Sequence, residues 1–271
     1  MTIFQDVTEE DIALLLKKGY TAITMKTQYE KYRLSKKRAI LILYNSGKLL
    51  IQGKDDDVDA IKEELHDLGI GQETKEEYFR REEGIFIGSD ESLKGDTFGG
   101  MVVAAVKADN QTREKLLELG VVDSKKLSDE EVIYLAEKIK KLVSFEIINL
   151  FPEDYNKRDG NVTVLLNRLH QECFNYLAPG IHVVDKYPGC NVGEIIETKA
   201  ESKYVEVAAA SILARAAALE QLDTLSQEAG FKLPKGSTHV KEALKELQRR
   251  GLQFDKFVKL NFSNVMSFLY A

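Results

Sequence analysis

The spacing of apolar positions divides the first part of the chain into short elements. In "TEEDIALLLKKG" (residues 8–19), Thr8 is followed three positions later by Asp11, and Gly19 closes the run, which predicts a short capped helix. "YTAITMKTQYEKYRLS" alternates apolar and polar positions and is rich in Thr, Ile and Tyr, as a strand is. In "AILILYNSGKLLIQG" two β-rich runs flank Asn45-Ser46-Gly47, a hairpin signal. "DDDVDAIKEELHDLG" starts on acids and stops at Gly69, a second helix. These predict a small helix–sheet–helix domain over residues 1–70. The acidic stretch 71–83 reads as a linker, and residues 84–271 as a second domain.

That second part opens with two apolar runs, "GIFIGSDE" and "MVVAAV", joined by "SLKGDTFGG". The joining loop carries more functional side chains than a turn needs. Ser128 and Glu131 form a capping box for a helix reaching about Leu142, and "VSFEIINL" follows as a strand. "NVTVLLNRLHQECFNYL" is a helix capped by Asn161, "IHVVDKY" a short buried strand, and "YVEVAAASILARAAALEQLDTL" a long helix with an alanine face suited to close packing. The tail from Ser237 reads as two amphipathic helices. Antiparallel strands followed by helix–strand alternation predict an α/β layer fold with a mixed sheet.

Composition narrows the function classes. A chain of 271 residues, 44% hydrophobic and 30% charged, is of ordinary soluble globular make-up. No apolar run approaches the roughly 18 residues of a membrane span, so no membrane partner is expected. The N-terminus lacks a basic region followed by an apolar one, so no signal peptide is expected. Cys173 and Cys190 stand apart without a C-x-x-C pair, which disfavours a zinc site or disulfide framework and fits a reducing cytoplasm. The net charge of -6 argues weakly against a nucleic-acid partner, but its distribution does not. Residues 17–54 hold ten bases against one acid, and residues 55–83 hold twelve acids against four bases. Tyr20, Tyr29, Tyr32 and Tyr44 interleave with the bases, a pairing of π-faces and cations that suits nucleic acid. Lysines on the outer face of a small sheet often serve solubility alone. Tyr32, Lys36, Lys37 and Arg38 are the candidate substrate contacts in this stripe.

The apolar strands share one further feature. "GIFIGSDE" ends at Asp90-Glu91 and "IHVVD" at Asp185, while Glu201 precedes the long alanine helix. Carboxylates at neighbouring strand ends and at a helix start would meet at one sheet edge and raise each other's pKa. Hard divalent cations relieve that repulsion, and two of them about 3.5–4 Å apart promote phosphoryl hydrolysis. Taken singly, such acids are ordinarily solvated strand ends. Adjacent strand residues point to opposite faces, so the strand is expected to end or bulge between Asp90 and Glu91. His170 and His182 read as structural, and no Ser-His-Asp, Cys-His or Walker arrangement is present.

Together, "GSDESLKGD", "DSKKLSD", "VVDKY", "KAESKYVEVAAASILAR" and "LPKGS" resemble bacterial ribonuclease HIII, a type 2 ribonuclease H, in order from about residue 84 to the C-terminus. The basic domain ahead of them is similar to the TATA-box-binding-protein-like (TBP-like) domain at the N-terminus of that family. The resemblance implies a ribonuclease H-like mixed sheet flanked by helices, with a smaller α+β TBP-like domain. It implies a catalytic and metal-binding quartet of Asp90, Glu91, Asp185 and Glu201, taking two Mg²⁺ or Mn²⁺ ions. Ser92, Leu93, Lys94 and Gly95 match the family's Ser-Gly-Lys-Gly loop, which contacts the RNA around 2′-hydroxyls. Ser124 and Lys125, within "DSKK" (residues 123–126), would lie near substrate phosphates. Leu93 stands where the family has glycine, which suits close approach or positive φ, so weakened substrate contact is expected. Gly100, where relatives commonly have proline, is expected to be a minor loop change.

The implied activity is endonucleolytic hydrolysis of the RNA strand of RNA/DNA hybrids, leaving 5′-phosphate and 3′-hydroxyl ends, by a cytoplasmic monomer. The alternatives are type HII-like cleavage at single ribonucleotides in DNA, or a catalytically weak hybrid-binding protein. A transposase or integrase of the same fold is a weaker possibility, since nothing resembles their DNA-recognition regions.

Overall fold

The computed structural model describes residues 2–26, 30–73, 80, 82–121, 124–158 and 161–270. The chain divides into two compact units, residues 1–76 and 77–271.

The first unit runs β1 (Thr2–Gln5), α1 (Glu9–Lys17), β2 (Thr21–Ala22), β3 (Glu30–Lys36), β4 (Ala39–Tyr44), β5 (Leu49–Gln52), α2 (Asp55–Asp67) and β6 (Gln72–Glu73). Its strands form one antiparallel sheet in the order β2-β3-β4-β5-β1-β6. The two-residue period decides the inward face: Leu41 and Leu43, with Leu49 and Ile51, join Ile12, Leu15, Ile61 and Leu65 of the two helices in one core. Thr8 caps α1 as its sequence predicts, its hydroxyl accepting from the Asp11 N–H while the Asp11 carboxylate accepts from the Thr8 N–H. Strand β6 pairs with β1 inside the stretch expected to be linker. Tyr29, one of the interleaved tyrosines, lies outside the described residues.

The second unit runs β7 (Phe86–Ser92), β8 (Met101–Ala108), α3 (Asn110–Glu118), α4 (Asp129–Leu142), β9 (Ser144–Leu150), α5 (Pro152–Asn156), α6 (Val162–Leu177), β10 (Ile181–Asp185), β11 (Ile195–Glu197), α7 (Val205–Ala229), α8 (Lys241–Arg249) and α9 (Ser263–Leu269). The sheet order is β11-β10-β7-β8-β9. Strands β7, β8 and β9 are antiparallel, whereas β10 runs parallel to β7 and β11 parallel to β10. Helix α7, with α3 and α4, covers one face, and α6 covers the other.

Two contacts fix α7 against β7. At Gly88 an added Cβ would stand 2.3 Å from the Val207 backbone nitrogen, so the absent side chain is what lets the helix lie directly on the strand. The fully buried Arg80 donates to Glu206 at 2.9 Å, and its Nη1 donates to the Glu82 and Gly84 carbonyls. That pair ties the start of the unit to the first turn of α7.

Candidate active site

Strand β7 outruns its parallel neighbour. Pairing with β10 stops at Val184↔Ser89, while pairing with β8 continues through Asp90↔Ala104, Glu91↔Val103 and Ser92↔Val102. The expected break or bulge between Asp90 and Glu91 is therefore absent, and the two side chains do leave by opposite faces. Ala104 belongs to the α7 side of the core and Val103 to the α6 side, so Asp90 turns toward α7 and Glu91 toward α6. Both reach one edge because β7 is no longer paired with β10 there. Asp185, next in register to Asp90, closes β10, and its Oδ1 accepts the Ala200 N–H at 2.9 Å. That bond ties Asp185 to the 3-10 turn Ala200–Ser202, which carries Glu201.

The electrostatics follow from this crowding. Burial, then the neighbouring Glu91 charge, push Asp90 up to about 8, against a hydrogen bond from the Ser211 hydroxyl. Asp185 is also raised, by burial first and then by the charges of Glu201 and Glu91, although the Ala200 N–H opposes the shift. Burial would raise Glu91 too, but His170 and Lys94 outweigh it and hold the carboxyl at about 2. Lys94 Nζ donates to Glu91 Oε1 at 2.9 Å, and Lys125 Nζ to Glu201 Oε1 at 3.2 Å. Glu201 is buried, and its Oε2 has no hydrogen-bond partner. Among the described residues no three acids or histidines already stand around a common point at ligand geometry. The donor set is nonetheless all hard oxygen, self-repelling and one atom short of partners, which fits a divalent cation.

The other candidates divide. Ser124 and Lys125 reach the site: Ser124 Oγ lies 2.8 Å from Ser211 Oγ, beside Asp90, and Lys125 pairs with Glu201. Asp123 and the Lys126 side chain lie outside the described residues. Ser92 ends β7, Gly95 is exposed, and the loop is pinned where the Asp96 carboxylate accepts the Gly236 N–H at 2.6 Å. In the first unit, Lys36 is bound to Glu64 at 2.7 Å and Arg38 to Asp57 at 2.7 Å, while the half-buried Tyr32 packs against the core. Lys37 stands exposed at the β3–β4 turn.

Residues 87–265 match the family model for ribonuclease HII. The chain is similar to ribonuclease HIII of Streptococcus pyogenes (serotype M49, strain NZ131), with 32% identity covering 92% of each chain. Among solved structures it is similar to Bst-RNase HIII in complex with Mn²⁺, at 27% identity and TM-score 0.62, covering 99% of this chain and 98% of that one. It is likewise similar to Aquifex aeolicus RNase H3, at 30% identity and TM-score 0.59, covering 96% and 100%. The chain belongs to the ribonuclease HII family. Its near full-length likeness is to the ribonuclease HIII enzymes, so it is an endoribonuclease, a hydrolase whose small α+β TBP-like unit is followed in the chain by the expected ribonuclease H-like sheet.

Two departures from the family pattern look different once folded. Leu93 adopts φ +65°, the left-handed conformation that glycine would supply, and turns its side chain into the core at 6% exposure. Its Cδ1 lies where a Cβ on Gly99 would come within 2.8 Å. Leucine thus takes the left-handed backbone itself and packs its side chain beneath the loop. Gly100 is not a minor loop position: a Cβ there would meet the Leu150 carbonyl at 2.1 Å, and its N–H donates to Gln221 Oε1 at 2.8 Å. Sequence reasoning did not single out Ser211 or Ser89 and read His170 and His182 as structural; the structure sets Ser211 beside Asp90 and His170 beside Glu91. The available signal was His170 inside the otherwise apolar stripe Leu166, Leu169, Cys173 and Leu177 of α6.

Proposed function

We propose that this family member cuts the RNA strand of RNA/DNA hybrids, with Mg²⁺ or Mn²⁺ held as a pair of ions by Asp90, Glu91, Asp185 and Glu201. The observation that carries the reading is the proximity of four carboxylates from three separate segments, where burial and then their mutual charges raise Asp90 and Asp185. The Mn²⁺ complex of Bst-RNase HIII supports the choice of cation class. Such ions, when bound, supply activation of a water and stabilisation of the leaving oxygen.

The chain's own groups do the remaining work. Lys94 and Lys125, each tethered to an acid of the site, are set to pair with phosphate oxygens flanking the cut. The backbone of Ser92–Gly95 is set to face the ribose 2′-hydroxyl that marks RNA. Breaking the P–O3′ bond leaves 5′-phosphate and 3′-hydroxyl ends. The first unit would add sequence-independent affinity through phosphate contacts. The reading includes a cytoplasmic monomer without a membrane partner; among the described residues no helix is long and apolar enough to cross a membrane.

The test is cleavage of a labelled RNA/DNA hybrid with Mg²⁺, with Mn²⁺ and with chelator, beside a duplex holding one ribonucleotide. Metal-dependent cutting of the hybrid, lost in Asp90→Asn while hybrid binding persists, is expected. Preferential cutting at the single ribonucleotide would move the assignment to the type HII-like activity. Binding without cutting under any metal would replace the enzyme by a binding protein.

A further inference from the structure

Behind Glu91, on the α6 face of the sheet, two buried histidines are joined by one serine. Ser89 Oγ lies 2.7 Å from His170 Nδ1 and 2.8 Å from His182 Nε2. His170 Nε2 stands 3.4 Å from Glu91 Oε2 and has no hydrogen-bond partner of its own. Stacked rings hold both imidazoles in plane: Phe174 lies on His182 at 4.9 Å, and Tyr187 on His170 at 5.5 Å. Lys94, which holds the other oxygen of Glu91, sits 4.7 Å from the centre of that same Tyr187 ring.

With both imidazoles neutral, the protons in this chain have one self-consistent arrangement. Ser89 has a single hydroxyl proton and two imidazole nitrogens to serve. His182 Nδ1 is buried without a partner. An orphaned buried N–H is rarer and costlier than an unused acceptor, so His182 carries its proton on Nε2 and donates it to Ser89 Oγ. Ser89 then donates to His170 Nδ1, which must be bare. The proton of His170 is therefore on Nε2, aimed at Glu91.

We infer that His170 is a positioning residue that fixes the rotation of the Glu91 carboxylate through its Nε2–H, with Ser89 and His182 setting the tautomer that makes this contact possible. The inference rests on the reading of Glu91 as a metal ligand. A ligand carboxylate held on both oxygens, by Lys94 and by His170, presents its remaining lone pairs in one direction. Partners of this kind alter metal affinity by roughly 10- to 100-fold when removed.

Two measurements on the full chain test it. Long-range ¹⁵N correlation spectra of the metal-free protein should show both His170 and His182 as Nε2–H tautomers; a proton on His170 Nδ1 overturns the inference without any variant. Calorimetric titration with Mn²⁺ should give His170→Leu a Kd raised roughly 10- to 100-fold, with hybrid affinity in chelator unchanged. His170→Gln, whose amide nitrogen falls near the position of Nε2, should recover most of that loss. Ser89→Ala leaves Glu91 untouched and should weaken Mn²⁺ binding less than His170→Leu does, which keeps the test available if His170→Leu fails to fold. Equal Mn²⁺ affinity in wild type, Ser89→Ala and a folded His170→Leu refutes the positioning role. Glu91→Gln is the control: if it too binds Mn²⁺ normally, the metal-ligand reading itself has failed, and the positioning role with it.

Discussion

Asp90→Asn should make the metal-free protein more stable while abolishing cleavage, and the size of the gain follows from where Asp90 sits. Burial and the Glu91 charge raise its carboxyl to about 8, against 3.8 for the free group. A carboxyl raised on folding binds its proton more tightly in the native state. Its stabilising contribution is complete below pH 3.8 and is lost as the pH climbs toward 8, at about 1.4 kcal/mol per pH unit. At pH 7 the accumulated cost is roughly 4 kcal/mol. Asparagine keeps the shape and has no proton to lose. In unfolding experiments with chelator, the margin of the variant over wild type should therefore widen by roughly 3 kcal/mol between pH 5 and pH 7. Mn²⁺ at about a thousand times its Kd should then return about 4 kcal/mol to wild type and little to the variant. Parallel pH profiles for the two proteins would show that Asp90 carries no such repulsion, and the electrostatic case for a cation at this edge would fall with it.

Leu93→Gly should lose about 1–3 kcal/mol of stability, a buried leucine lost against a left-handed backbone relieved, with the KM for hybrid changing less than about twofold, because the leucine already holds the left-handed backbone that glycine would adopt. A large drop in KM would mean that the leucine does obstruct the substrate. Gly100→Ala should cost about 3 kcal/mol in urea unfolding, since its Cβ would meet the backbone of Leu150 and Phe151, which cannot turn aside as a side chain can; a neutral result would mean that the β8–β9 edge gives way easily. Arg80→Met should cost about 3–5 kcal/mol at neutral pH by leaving Glu206 charged and buried. Because burial already raises Glu206, part of that loss should return as the pH falls and the carboxyl is protonated; a loss that grows on acidification would contradict the assignment.

The local elements were legible because each rests on short-range chemistry. The capping boxes at Thr8 and Ser128, the Asn161 cap and the Asn45-Ser46-Gly47 hairpin need only neighbours to form. The strands β1, β6 and β11 were not legible, being two to four residues long and defined by partners far along the chain. The site shows the same division. Acids at the ends of apolar runs could be read directly, but how Asp90 and Glu91 share one edge could not. The answer lies in where β10 stops pairing with β7, at Val184↔Ser89, one residue short of Asp90, and no periodicity in β7 records that. Leu93 illustrates a limit of reading one position at a time: its φ is dictated by the loop, and its side chain finds the core through Gly99, six residues on.

The charge run of residues 17–54 needs the most revision. Counted along the chain it is ten bases against one acid, yet folding brings the acidic second half of the unit back onto it. Lys36 meets Glu64 and Arg38 meets Asp57, both acids coming from α2, while Lys31 meets Glu9 and Arg33 meets Glu30. A lysine already paired with a carboxylate gains less from a phosphate, because one ion pair is exchanged for another and fewer counterions are released. The sequence-independent affinity proposed for this unit then rests on the exposed Lys17, Lys18, Lys26, Lys37, Lys48 and Lys54 and on the outward part of Arg38, not on the stripe as a whole. The salt dependence of hybrid binding should accordingly be shallower than a ten-base count suggests, and replacing Lys37 should reduce its slope where replacing Lys36 does not.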